Sequence, residues 1–319
     1  MKLLLIGGNG FIGKNIVEIL KDKIEIHILD KYIDFDFFQG LGLPKEYLYE
    51  EDLISSKNDI NECFASVDAI VYLVNFLNPY LGLEETKIAY SNDISMCINI
   101  LNKSVENSIN KVIFLSSGGT VYGNATDNFF SENTITNPIS HYGISKLTLE
   151  KIFLMYNHLY NMNNIILRVS NPYGKYQISD KTGLISIYLR KIIEGNNLEV
   201  FGDGTAIRDY IYVGDLVEGI LNGIKIKNNS SNVFNIGSGI GKSINEIISI
   251  IKNDLNLNFD VIYTENRNFD VNKNVLDISR AKNELNFSPK IELSEGIKHL
   301  YEYLLNNKWK GKYDSNNRS

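Results

Sequence analysis

Short apolar runs alternate with longer stretches whose apolar positions recur every three to four residues across the first half of the chain. Lys2 to Ile6, Ile24 to Leu29, Ala69 to Val74, Lys111 to Leu115 and Ile165 to Val169 are too short and too apolar for anything but buried strands. Phe11 to Lys21, Glu84 to Ser108 and the segment around Ile139 to Asn161 carry helical spacing. Such alternation predicts an α/β fold with a doubly wound parallel sheet covered by helices on both faces. After Asn171-Pro172 the rhythm changes. Shorter strands (Leu198 to Phe201, Val233 to Ile236, Val261 to Tyr263) fall between helices near 183–195, 214–225, 243–254 and 294–306. The expected division is 1–170 for the large unit and 171–319 for a smaller α/β unit, interleaved at the boundary. With no flexible linker between them, they should pack closely and bind ligand in the cleft.

Bulk properties narrow the partners. A chain of 319 residues with net charge -6 has no general attraction for nucleic acid or an acidic membrane surface, so an anionic ligand would need local basic residues. Cys63 and Cys97 lie in helix-like stretches without metal-ligand spacing, and the four histidines are scattered; no metal is expected. The apolar start ends at Gly7-Gly8, too soon for a leader or a span, so a cytoplasmic protein is expected. The polar tail from Asn306 should fray.

Gly7-x-x-Gly10-Phe11-Ile12-Gly13 directly follows the first strand and opens a helix. Glycines there allow a tight turn and a close approach to a pyrophosphate resting on the helix N-terminus. Asp30 ends the second strand, 17 residues after Gly13, where a carboxylate binds an adenosine ribose and repels a 2′-phosphate. NAD is therefore expected over NADP, with Lys31 tempering that preference and Asp52-Leu53 placed near the adenine. Tyr142 and Lys146 are four residues apart, hence on one helix face. An ammonium there favours ionisation of a tyrosine and so makes it a base toward a carbinol. The preceding strand end, Ser116-Ser117-Gly-Gly-Thr120-Val-Tyr-Gly123, offers hydroxyls toward the same point.

Together these motifs resemble the extended short-chain dehydrogenase/reductase family, and within it the nucleotide-sugar 4-epimerases, from Gly7 to about Ile297. The resemblance implies a Rossmann-type sheet with a smaller substrate-binding domain, a resident NAD and a homodimer built on the two long helices. It also implies roles in the second half. Asn171 would contact the substrate diphosphate, Arg208 and Arg267 would clamp it, Asp270 would hold a ribose, and Phe201 would belong to the nucleotide segment. Asn274 stands where some relatives close the sugar pocket with tyrosine, and a smaller residue there would leave room for a 2-acetamido sugar.

Departures sharpen the expectation. Gly118 replaces the hydroxyl that assists the tyrosine in galactose epimerases, so the role passes to Thr120 or Ser117, with Thr120 favoured. Gly119-Thr120 stands where dehydratases and decarboxylases carry acids, which argues against elimination. Asp93 stands where the family usually has a cofactor-contacting asparagine, His141 lies beside the base, and Lys175 is a weak candidate for a uronic-acid carboxylate. The expected activity is NAD-dependent C4 epimerisation of a UDP-sugar. The alternatives are a dehydratase, decarboxylase or 4-ketoreductase on the same fold, or a non-catalytic NAD(H) sensor.

Overall fold

The computed structural model describes residues 1–54, 60–77, 81–124, 129–180, 182–227, 229, 231–265 and 273–307. The first half runs β1 (Lys2–Ile6), α1 (Phe11–Leu20), β2 (Glu25–Asp30), α2 (Phe35–Gly40), β3 (Leu48–Glu50), α3 (Asn61–Phe64), β4 (Ala69–Tyr72), α4 (Leu83–Glu106), β5 (Val112–Ser117), α5 (His141–Tyr160) and β6 (Ile165–Val169). Then come β7 (Asn171–Tyr173), α6 (Leu184–Ile193), β8 (Leu198–Phe201), β9 (Ile207–Tyr212), α7 (Val213–Lys225), β10 (Val233–Ile236) and β11 (Gly241–Ser243). The chain closes with α8 (Ile244–Asp254), β12 (Val261–Thr264), β13 (Lys273–Asn274), α9 (Ser279–Leu285) and α10 (Leu293–Asn306).

Seven parallel strands form the main sheet in the order β10-β6-β5-β4-β1-β2-β3. Its strands are mainly apolar because both faces are covered, with Arg168 and Asn235 as buried polar exceptions. Leu3 and Leu5 point into a core shared with α1 and α7 (Ile16, Val17, Leu216, Ile220), whereas Leu4 and Ile6 meet Cys97, Ile100, Leu149 and Phe153 of α4 and α5. The strand order reverses between β1 and β4, and ligands of open α/β sheets bind outside the carboxyl ends at such a point.

A third core gathers Tyr173, Leu189, Leu198, Val200, Ile247, Ile251, Leu300 and Leu304. Beside it, β9 is the centre of a small sheet, pairing with β11, β13 and β7. Residues past 170 also return to the large sheet: α7 packs on it and β10 forms its edge. This return ties the smaller part to the larger.

Candidate active site

At the end of β1, Gly7 adopts φ +83°, and a Cβ there would lie 2.8 Å from Val74 Cγ2. Within the first turn of α1, a Cβ on Gly13 would fall 2.2 Å from the Gly8 carbonyl oxygen. Only hydrogen on both residues lets the turn close and the helix settle onto it. Gly10 caps α1 without a side-chain hydrogen bond, so the first N–H groups, from Phe11 and Ile12 onward, are left to a ligand's oxygens. A Cβ at Gly10 would have no protein atom nearer than 3.6 Å, which is the open side of the cradle. The turn therefore fits a pyrophosphate.

Asp30 locks this turn: its Oδ2 accepts the Asn9 N–H at 2.9 Å, while Asn9 Oδ1 accepts the Asp34 N–H at 3.1 Å. Burial pushes its carboxyl pKa up, against the backbone N–H groups that favour the anion. Lys31 Nζ pairs with Asp52 Oδ2 at 3.2 Å, so its charge is committed to a carboxylate beside Asp30. Leu53 is half-buried against the α4–α5 core.

Ser140 caps α5, its Oγ accepting the Gly143 N–H at 3.1 Å. That fixes Tyr142 in the first turn, at the carboxyl edge of β5. Lys146 lies beneath it, buried, with Nζ 5.6 Å from the Tyr142 ring centre, 4.9 Å from that of Phe114 and donating to the Leu115 carbonyl at 2.9 Å. Burial pushes the Lys146 pKa down to about 8, opposed by the negative charges of Asp93 and Glu150. Tyr142 is pushed up to about 12, first by burial and then by Asp93, while a hydrogen bond with Ser117 pulls it down.

Of the two candidate hydroxyls, we assign the assisting role to Ser117 rather than to Thr120. Ser117 is the one that pulls the Tyr142 pKa down, whereas Thr120 Oγ1 is buried without a hydrogen-bond partner. Gly118 has its own reason: a Cβ there would lie 2.6 Å from Leu276 Cδ1 and 3.0 Å from the Arg168 carbonyl oxygen. His141 is exposed, with Nδ1 3.2 Å from the Tyr90 hydroxyl.

Asn171 opens β7 and donates from Nδ2 to the Asp209 carbonyl at 2.9 Å. On the adjoining β9, Arg208 is flanked in register by Lys242 and Asn274. Asp209 turns to the opposite face, as strand alternation requires, and accepts from Ser238 N (2.8 Å), Ser238 Oγ (2.7 Å) and Gly239 N (3.1 Å). Phe201 ends β8, half-buried. Asn274 departs from the pocket-wall expectation: it is fully buried, and its Nδ2 holds the Gly118 carbonyl at 3.0 Å. Lys175 is tied to Glu18 at 3.1 Å, not left for a substrate carboxylate. Arg267 and Asp270 lie outside the described residues.

Sequence reading missed a buried polar network behind the pair. Glu150, one turn below Lys146, accepts from Arg168 Nε at 3.0 Å and from its second terminal nitrogen at 2.7 Å. Ser116 Oγ also donates to Glu150. Arg168 reaches the Tyr122 hydroxyl at 3.1 Å, which in turn donates to Asn235 Oδ1 at 2.7 Å. One signal could have exposed it: a lone arginine inside an otherwise apolar strand must find a buried anion.

The sequence profile of the NAD dependent epimerase/dehydratase family matches residues 3–237. The chain belongs to that family. It is an enzyme family that uses NAD, consistent with the glycine turn and Asp30. Among relatives, a protein of Methanocaldococcus jannaschii named "Putative UDP-glucose 4-epimerase" is 34% identical over 309 residues, covering 96% of this chain and 99% of that one. The dTDP-4-dehydro-6-deoxyglucose reductase of Escherichia coli is 31% identical over 307 residues, covering 93% of this chain and 96% of its own. The crystal structure of UDP-glucose 4-epimerase from Thermotoga maritima with UDP-glucose superposes with a TM-score of 0.84 at 28% identity, covering 97% of this chain and 100% of that one. This epimerase/dehydratase family member is thus similar in sequence both to proteins named as epimerases and to one named as a reductase, and the site must separate the reactions. Among its described residues no helix is long and apolar enough to cross a membrane.

Proposed function

We propose that the protein interconverts the two C4 configurations of a UDP-sugar by transient oxidation to the 4-keto sugar. The observation that carries this reading is the placement of Tyr142 over the buried Lys146, whose Nζ lies 5.6 Å from the tyrosine ring centre, beside a loop that has Gly119 and Thr120 where elimination would need acids. NAD, held by the Gly7–Gly13 turn and Asp30, would supply the hydride-transfer chemistry at C4. Tyr142 takes the 4-hydroxyl proton and gives it back. Ser117 donates to the sugar oxygen as charge develops on it. Lys146, protonated, favours the ionised tyrosine.

Residues 1–170 would serve the cofactor and 171–319 the nucleotide-sugar. Asn171, Arg208 and Arg267 would hold the diphosphate while the keto sugar turns over, since guanidinium groups fork onto phosphate oxygens as lysine cannot. Asp270 would take the ribose and Phe201 the base. We place a second copy of the chain on the outer faces of α4 and α5, where Leu83, Ile88, Ile144, Met155 and Leu159 are exposed. Sedimentation of Ile144→Asp as a monomer and of the parent as a dimer tests that placement. A cytoplasmic site of action accords with this chemistry.

The reaction is tested by incubating the protein, without added NAD, with UDP-glucose, UDP-N-acetylglucosamine or UDP-glucuronate in D2O, followed by proton NMR. A C4 epimer without deuterium at C5 is the expected product. Deuterium at C5, or loss of water or of the carboxyl, would replace epimerisation with elimination or decarboxylation. The Escherichia coli relative favours one second reading, a 4-keto-sugar reductase. It would instead consume one reduced cofactor per product, with no turnover of the three sugars above.

A further inference from the structure

Asp93 is fully enclosed on α4, yet it joins two parts of the site. Its Oδ1 accepts the Phe76 N–H at 2.8 Å and its Oδ2 accepts the Ser145 hydroxyl at 2.7 Å. Ser145 immediately precedes Lys146. Phe76 lies two residues after Val74, the residue against which Gly7 is packed. The carboxylate therefore lies between the catalytic helix and the loop backing the glycine turn.

Its charge reaches the groups packed around it: Lys146, Tyr142, Tyr90, Tyr72 and Cys97 all feel it. Lys146 is the cation of that set, with Glu150 and Arg168 one turn further along. Asp93, Lys146, Glu150 and Arg168 thus form an interior row of alternating charge that sums to zero. A buried carboxylate is costly unless such a row compensates it. Whatever accepts hydride from the carbinol at Tyr142 must face that tyrosine, so a charge felt at Tyr142 also acts on the nicotinamide. The ring carries a positive charge when oxidised and none when reduced.

We propose that Asp93 is a positioning residue that biases the bound cofactor toward its oxidised form, the form in which the cycle starts. The inference rests on NAD binding and on the place of Tyr142, not on the identity of the sugar. A unit charge at roughly 10 Å, with an effective dielectric of about 20, changes the relative affinity for the two forms on the order of tenfold.

The test equilibrates holoprotein by dialysis against a fixed mixture of NAD+ and NADH and quantifies both bound forms by chromatography. Asp93→Asn should move the bound ratio toward NADH by about tenfold. Ser145→Ala removes one hydrogen bond but keeps the charge, and should leave the ratio within about twofold. Lys146→Met removes the opposing charge and should move the ratio the other way, which also covers failure of Asp93→Asn to fold. An unchanged ratio in Asp93→Asn, an equal shift in Ser145→Ala, or shifts of one sign for both charge variants would overturn the proposal. No sugar or turnover enters the measurement, so its outcome is separate from that of the NMR experiment.

Discussion

Lys146 Nζ lies 5.6 Å from the Tyr142 ring centre, and of the two hydroxyls on the neighbouring loop Ser117 pulls the Tyr142 pKa down while Thr120, three residues on, keeps its own buried without a hydrogen-bond partner. The two hydroxyls should therefore respond differently to removal. Tyr142→Phe is expected to cut kcat by about 10²–10⁴ with NAD still bound, as loss of the acid–base group does. Ser117→Ala should cost about 10²–10³ in kcat, the loss seen for one oxygen-stabilising donor. Thr120→Val should cost less than tenfold, since it deletes an unpaired group. Steady-state rates with extracted and quantified NAD check all three, and equal losses for Ser117→Ala and Thr120→Val would reject the assignment.

Lys146 makes stability depend on pH in a defined direction. Its folded pKa, about 8, is below the ordinary lysine value of 10.5, so the unfolded chain binds the extra proton between those limits. Stability therefore rises with pH from about 8 toward 10.5 as the buried ammonium is relieved of its proton. Lys146→Met lacks this gain. Urea unfolding should show the wild type gaining about 2 kcal/mol on the variant between pH 7 and 9.5, whatever their offset at pH 7.

The Glu150–Arg168 pair holds α5 against β6 and, through Ser116 and Tyr122, steadies the loop that carries Ser117. Glu150→Ala strands a buried guanidinium and should destabilise the protein by about 3–5 kcal/mol. The double variant Glu150→Leu/Arg168→Met should recover much of that loss. Denaturant titration of the single and double variants checks the coupling.

Asp30 holds the glycine turn through the Asn9 N–H, with Lys31 already paired to Asp52, and in our reading it serves the adenosine end. Asp30→Ser should weaken NAD binding and lower the discrimination against NADP by about tenfold or more, because a 2′-phosphate would no longer meet a carboxylate. Calorimetric titration of both cofactors gives the ratio. If Lys31 were free to act, discrimination would already be weak in the wild type.

Local sequence determined the doubly wound fold and the placement of its chemistry. The long helices, the glycine turn and the Tyr142–Lys146 pair depend on contacts within a few residues, and the strands Lys2–Ile6 and Ile165–Val169, though paired far along the chain, are marked by short apolar runs, so local spacing displays them all. What it left open involves partners distant in the chain. Strand β9 was not evident, because its Arg208 and Asp209 break the apolar pattern and are reconciled only by β7, β11, β13 and the 238–239 loop. Asn274 reads as a pocket wall by its position, but it is buried by its bond to Gly118, 156 residues away. Spacing could not distinguish Ser117 from Thr120, because the direction of a side chain in an irregular turn is set by what packs over it; in the folded loop the Thr120 hydroxyl is buried without a hydrogen-bond partner. Asp93 and Glu150 look like ordinary helix residues until α4, α5 and β6 close around them, since burial is what turns a surface charge into one that must be paired and that acts on its neighbours.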